Sequence, residues 1–277
     1  MEILLKQAAM LISDQFTLAL QAYQEIKEEL GQTPLTVDAP VYPELETLFA
    51  SLGSLPPESL FIGMATDGMP ILLDLYDPTP GPVLVVAGEG GGKTRYLQML
   101  AHAVEASQDP GEVQFGVITS NPDQWTGIES FPSALQILPA NHPSAGHFIY
   151  QLSAWAESFR RGQRVILLMI DDLEWLTSAS FEIQHSLRYL LKHGPEQHVW
   201  PVVSVDSSNL SQIGNWLESF QVRVFGQVKP PDGGSELGED LVRTLARFSP
   251  GQHYLLQRPR GILRFWIPQI ATDERSS

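Results

Sequence analysis

The sequence predicts an α/β fold in which a mainly parallel central sheet is flanked by helices. Three observations carry that expectation. From Val83 onward, apolar runs alternate with amphipathic stretches, the pattern of helices packed on both faces of a parallel sheet. One apolar run feeds a glycine-rich segment that opens into a helical pattern. Another ends in two adjacent aspartates, Asp171 and Asp172.

The elements follow in order. Residues 4–30 place apolar side chains at helical spacing, and Gly31 with Pro34 stops the pattern. A second helical stretch over residues 43–52 ends at Ser54-Leu55-Pro56-Pro57. Residues 60–64 and 71–75 flank Thr66-Asp67-Gly68 and read as a hairpin. Strands are then expected at residues 83–87, 114–118, 135–138, 165–170, 199–205 and 222–228, and helices at 94–107, 145–161, 179–193, 210–220 and 237–248. A closing pair, 253–257 and 262–267, is split by Arg258-Pro259-Arg260-Gly261 and reads as a terminal hairpin. The expected organisation is a helical N-terminal appendage (1–56), a main domain (57–270) and a polar tail (271–277).

Composition narrows the function classes. With 277 residues, 43% of them hydrophobic, the chain has material for one large core and a small appendage. No apolar run approaches the roughly 18 residues that span a bilayer, and residues 1–6 lack the pattern of a signal peptide, so a cytoplasmic protein without a membrane partner is expected. Zero cysteines exclude disulfides and thiolate metal sites, and the seven histidines are scattered. A net charge of −15 opposes a general nucleic-acid coat, which needs clustered Lys and Arg, but leaves room for a local basic strip. The six tryptophans sit beside apolar runs, as core or interface anchors do.

The chemistry is concentrated in two segments. Val83-Leu84-Val85-Val86-Ala87-Gly88-Glu89-Gly90-Gly91-Gly92-Lys93-Thr94 is a strand, a glycine-rich turn and a helix start, the context a P-loop requires. Gly88, Gly90, Gly91 and Gly92 let backbone N–H groups approach phosphate oxygens, and the helix N-terminus adds partial positive charge. Lys93 reaches the outer phosphates, Thr94 ligates magnesium, and Arg95 follows as a further nucleotide-binding residue. Ala87 stands where the first glycine of the eight-residue frame is usual, and Glu89 brings a negative charge unless it points outward. In the second segment, the apolar run 165–170 ends in Asp171, a magnesium partner, with Asp172 or Glu174 to polarise an attacking water. Taken alone, that segment also reads as a core strand whose carboxylates start a helix.

Over residues 60–268 the order of hairpin, P-loop strand, Asp-Asp strand and a strand ending in Pro201-Val202-Val203-Ser204-Val205-Asp206-Ser207-Ser208 resembles the FtsK/HerA-type motor ATPases. Asp67-Gly68-Met69-Pro70-Ile71 and Gln221-Val222-Arg223-Val224-Phe225-Gly226 are similar too. The resemblance implies a RecA-like P-loop NTPase of the ASCE class, ATP and Mg2+ as cofactors, a homo-oligomer or partner protein subunits, and DNA as cargo. It also implies an arginine lent by a neighbouring subunit, for which Arg160, Arg161, Arg188 and Arg223 are candidates. Arg223 comes first, because a charge inside an apolar strand needs a purpose. The chain departs from the family pattern at Asp172, where Glu is common, and at Ser204, Asp206 and Ser207, where a Thr-Gln-Arg type cluster is usual. Two functions follow: an ATP-hydrolysing motor subunit, or a nucleotide-bound structural or regulatory subunit of a larger assembly.

Overall fold

The computed structural model describes residues 42–158, 164–230, 232, 234–259 and 261–270. The segment 4–30, the tail 271–277 and the candidates Arg160 and Arg161 lie outside the described residues. Ten strands are β1 (Ser59–Ala65), β2 (Pro70–Asp74), β3 (Val83–Ala87), β4 (Val113–Thr119), β5 (Ala134–Pro139), β6 (Val165–Asp171), β7 (Val199–Asp206), β8 (Val222–Phe225), β9 (His253–Arg258) and β10 (Gly261–Trp266). They form one sheet in the order β2-β1-β10-β9-β8-β3-β7-β6-β4-β5. From β8 to β5 every neighbouring pair is parallel, and from β8 to β2 every pair is antiparallel. This is the expected α/β architecture, mostly parallel and flanked by helices.

The helices are α1 (Leu45–Leu52), α2 (Lys93–Ser107), α3 (Pro143–Glu157), α4 (Phe181–His193) and three short ones, α5 (Gly214–Leu217), α6 (Gly234–Leu237) and α7 (Glu239–Leu245). Strand alternation sends successive side chains to two cores. Val83, Val85, Leu167 and Met169 meet Leu97 and Leu100 of α2 on one face. Leu84, Val86, Leu168 and Ile170 meet Ile149 of α3 and Leu187 of α4 on the other. Because β3, β6 and β7 are covered on both faces, they read as unbroken apolar runs. Trp125 and Trp200 are fully buried, and Trp200 Nε1 donates to Leu75 O at 2.9 Å, as expected of anchors.

Several expectations are corrected. The stretch 43–52, assigned to the appendage, forms α1 on the main core: Leu45 and Leu48 are buried, and Gln269 N donates to Pro43 O at 3.0 Å. The compact unit starts at Tyr42, so the proline break at 56–57 only turns the chain within it. The single helix expected at 210–220 is a 3-10 segment, Ser207–Ile213, followed by α5. Ser207, Ser208, Asn209 and Ser211 compete with the backbone for hydrogen bonds and disfavour a regular helix there. The helix expected at 237–248 breaks at Gly238, whose φ is 82°. The closing pair is antiparallel as predicted, but it lies inside the sheet, with β10 on β1 and β9 on β8. Strand β8 ends early because residues 226–228 leave the ladder to cover the glycine-rich loop.

Candidate nucleotide-binding site

Parallel strands put their C-terminal ends on one edge of the sheet, and the chemistry-bearing residues collect there. Ala87 ends β3, Asp206 ends β7 and Asp171 ends β6; Ala87 is in register with Asp206, and Asp171 with Thr119 of β4. Strand β7 therefore stands between the glycine-loop strand and the aspartate strand.

The loop itself runs from Gly88 to Gly92. Ala87 is a fully buried strand residue, so the usual first glycine is not needed as a turn residue here. Gly88 N donates to Gln227 O at 2.8 Å, and Gly91 N to Gly88 O at 2.9 Å. At Gly91 a Cβ would lie 2.3 Å from Gln227 O, and at Gly92, with φ 101°, 2.4 Å from Gly251 Cα. The glycines are thus required by close backbone approach from two neighbouring segments. Glu89 points to solvent, which removes the expected conflict with an anion. Gly92 caps α2 without any side-chain hydrogen bond, leaving the first N–H groups of the helix available to an anion.

Lys93 Nζ donates to Asp206 Oδ2 at 2.8 Å and lies 3.5 Å from Gly88 O. Thr94 Oγ1 donates to Asp171 Oδ2 at 2.8 Å, and Thr119 Oγ1 to the same oxygen at 3.3 Å. Ser204 Oγ donates to Asp171 Oδ1 at 2.9 Å. Burial pushes the Asp171 carboxyl up, against the Thr94, Ser204 and Thr119 hydroxyls and Lys93, which pull it down. Burial, helped by the Asp171 and Glu174 charges, raises Asp172 to about 6. Burial also acts upward on Asp206, but the Lys93 ammonium and the Ser208 hydrogen bonds outweigh it and hold its pKa low.

Magnesium fits this donor set. Thr94 Oγ1 and the Asp171 carboxylate are hard oxygen donors touching one another, and Mg2+ in phosphate sites takes one or two such protein ligands with phosphate and water for the rest. Among the described residues no cluster of three or more acidic, His or Cys side chains could hold a metal unaided, so such an ion would arrive with the nucleotide.

Not every expected residue is in place for chemistry. Glu174 Oε1 accepts from Asp206 N at 2.8 Å and Asn209 Nδ2 at 3.1 Å, so this oxygen ties the aspartate turn to the end of β7, while Oε2 is buried without a hydrogen-bond partner among the described residues. Arg223 donates to Leu217 O and Phe220 O of its own chain, at 3.1 and 3.3 Å, and sits beside Leu84, three residues before Ala87. Its purpose in the strand is to satisfy those carbonyls, which removes the ground for ranking it first as a transferred arginine. Arg188 lies over the Trp216 ring at 4.6 Å. Arg95 packs on Gly251 and covers the turn beside the loop. Three supports were missed from the sequence: Gln227, Gly251, and Tyr254, whose hydroxyl donates to Gly92 O at 2.8 Å. Only Ser249-Pro250-Gly251 gave a local signal, that of a turn.

A glycine loop between a buried strand and a helix, with a β7-type strand separating it from the aspartate strand, defines the RecA-like P-loop ATPase fold. No protein-family model matches the chain, and no curated protein does. Solved structures with this fold include the cytoplasmic domain of the type VII secretion ATPase EccC from Thermomonospora curvata, with a TM-score of 0.68 and 16% identity over 86% of this chain and 33% of that one. EssC (ATPases 2 and 3) from Geobacillus thermodenitrificans matches with a TM-score of 0.64 and 11% identity, over 87% and 49%. The pCW3 conjugation coupling protein TcpA, solved with ATPγS, matches at 0.62 and 12%, over 82% and 70%. The chain spans less than half the length of the solved EccC and EssC chains. The fold is thus the one the FtsK/HerA resemblance implied.

Proposed function

We propose that this chain binds ATP with magnesium at residues 88–95 and hydrolyses it as a subunit of an FtsK/HerA-like oligomeric motor. The observation that carries the reading is the Thr94–Asp171 contact of 2.8 Å, formed where an uncapped helix N-terminus and Lys93 converge. Those parts are the ones that hold phosphate and a hard cation together. Loop N–H groups of Glu89, Gly90 and Gly92 grip the inner phosphates, since those of Gly88 and Gly91 already donate to Gln227 O and Gly88 O, and Lys93 meets the β and γ phosphates. Thr94 and Asp171 would hold magnesium, which would supply charge neutralisation at the phosphate oxygens. Asp172 accepts the proton of the attacking water, since a pKa of about 6 lets it be ionised at neutral pH and still take a proton. Glu174 positions β7 in this scheme, and a trans arginine comes from another residue than Arg223.

DNA as the moved polymer, and the oligomer itself, belong to this proposal. A protein substrate is the competing cargo, because the matched EccC is named as a type VII secretion ATPase. The alternative of a slow, nucleotide-bound assembly subunit is favoured by the Asp206–Lys93 ion pair, which places a carboxylate beside the outer phosphate. The deciding experiment is phosphate release by wild type and Asp172→Asn, with and without double-stranded DNA. A motor gives DNA-stimulated turnover that falls at least about a hundredfold in the variant while ATP still binds. Negligible wild-type turnover, unchanged by the substitution or by DNA, supports the assembly subunit instead.

A further inference from the structure

Asp206 is fixed in place from several directions. Its Oδ1 accepts from Ser208 N at 3.0 Å and Ser208 Oγ at 2.7 Å, and its own N–H donates to Glu174 Oε1 at 2.8 Å. Its Oδ2 takes Lys93 Nζ at 2.8 Å, with the two side chains 18% and 11% exposed. The other Lys93 contact is the 3.5 Å approach to Gly88 O, so Asp206 is the main anchor of the loop lysine. The next residue, Ser207, is buried, and among the described residues its hydroxyl has no hydrogen-bond partner. That oxygen lies 3.6 Å from where a Cβ on Gly88 would stand, at the start of the loop. A buried hydroxyl without a partner is costly unless a ligand completes it.

We propose that Asp206 makes this site discriminate by phosphate number, holding a nucleoside diphosphate in preference to a triphosphate. The inference rests on reading residues 88–94 as the phosphate loop. The inner phosphates are gripped by loop N–H groups, the helix N-terminus and the orphan Ser207 hydroxyl, none of which involves the Asp206 carboxylate. Lys93 reaches both the β and the γ phosphate, so a triphosphate draws on it through two phosphates and a diphosphate through one. An oxygen bound to that ammonium falls roughly 4–5 Å from a carboxylate already attached to it, a separation at which two anions repel appreciably even in a polar environment. Asp172 and Glu174 add carboxyl groups nearby, while magnesium at Thr94 and Asp171 would accompany either nucleotide, so the charge that differs between the two is the third phosphate set beside Asp206. A diphosphate competes with Asp206 for Lys93 through one phosphate and a triphosphate through two, so the triphosphate weakens the Lys93–Asp206 pair more.

The test is calorimetric titration of ADP and of slowly hydrolysed ATPγS, each with magnesium, into full-length wild type and Asp206→Asn. Asparagine keeps an oxygen for Ser208 and nearly the same shape while removing the charge. The expected result is wild type favouring ADP by about tenfold or more, with the variant binding ATPγS about tenfold tighter and ADP changed less than about threefold. An ADP to ATPγS affinity ratio that is the same in both proteins overturns the inference and leaves the phosphate loop standing. Failure of folded wild type to bind either nucleotide overturns the loop reading, and this inference with it. Should Asp206→Asn not fold, wild type decides alone: equal affinities, or a preference for ATPγS, overturn the proposal.

Discussion

Asp172 shows how one residue's backbone and charge are set together. Its φ of 67° lies in the left-handed region, which Asp and Asn enter more readily than other non-glycine residues, and its N–H is fixed by Ser204 Oγ at 2.9 Å. The longer Glu common at this position in the FtsK/HerA-type motors that the sequence resembles would sit there with more strain, so Asp172→Glu is expected to trade stability for reach. The carboxyl's folded pKa of about 6 lies above its unfolded value, so folding takes up a proton. The associated stability is present at low pH and is lost as pH rises through 6. Asp172→Asn removes that loss: it should be more stable than wild type at pH 7.5 by on the order of 1 kcal/mol, a figure reduced for the partial exposure of the group, with the gap closing between pH 6 and pH 4. Urea titrations of both proteins at pH 7.5 and 5 test this, and a gap that does not depend on pH contradicts it.

At the scale of elements, the glycine loop is shaped by its neighbours as much as by its own sequence. Tyr254 is fully buried on β9 and donates to Gly92 O, so Tyr254→Phe should cost about 1 kcal/mol and lower Tm by roughly 2–4 °C, with weaker nucleotide binding. Unchanged affinity and Tm in a calorimetric comparison would show the bond to be dispensable. Arg223→Met should destabilise by about 1–3 kcal/mol by leaving the Leu217 and Phe220 carbonyls unpaired, with turnover per folded subunit kept. A loss of about a thousandfold in turnover at unchanged stability would instead mark it as a transferred arginine. The buried strands β3, β6 and β7 and the helices α2 and α4 were legible because burial on both sheet faces leaves apolar runs and one-sided packing leaves a helical period. That Lys93, Thr94 and Asp171 would gather at one edge of the sheet was legible because the phosphate-binding task proposed for them needs those residue types next to a strand end. What sequence could not show was long-range: that the 248–254 turn would press on Gly92, that β9 and β10 would insert between β8 and β1, and that one oxygen of Glu174 and the guanidinium of Arg223 would be taken by local N–H and carbonyl groups.

For the whole molecule, the single ten-stranded sheet ties α1, the loop and the closing pair into one unit, so these parts should unfold together. The formal charge of −15 makes any polymer contact a local affair of a few basic residues, with a steep dependence on salt. Nucleotide at about a hundred times its Kd should add about 2.7 kcal/mol, a Tm rise of roughly 5–10 °C in a unit of this size, if it binds only the folded state. Among the described residues no helix is long and apolar enough to cross a membrane. The central claim, that residues 88–94 with Asp171 form a phosphate site, is met most directly by titrating magnesium ATP into wild type and Lys93→Ala while circular dichroism follows the fold. The account predicts saturable binding by wild type and a loss of at least about a hundredfold in a variant that remains folded, because a charge-assisted contact at the phosphates is gone. Equal affinity in the two folded proteins would contradict it.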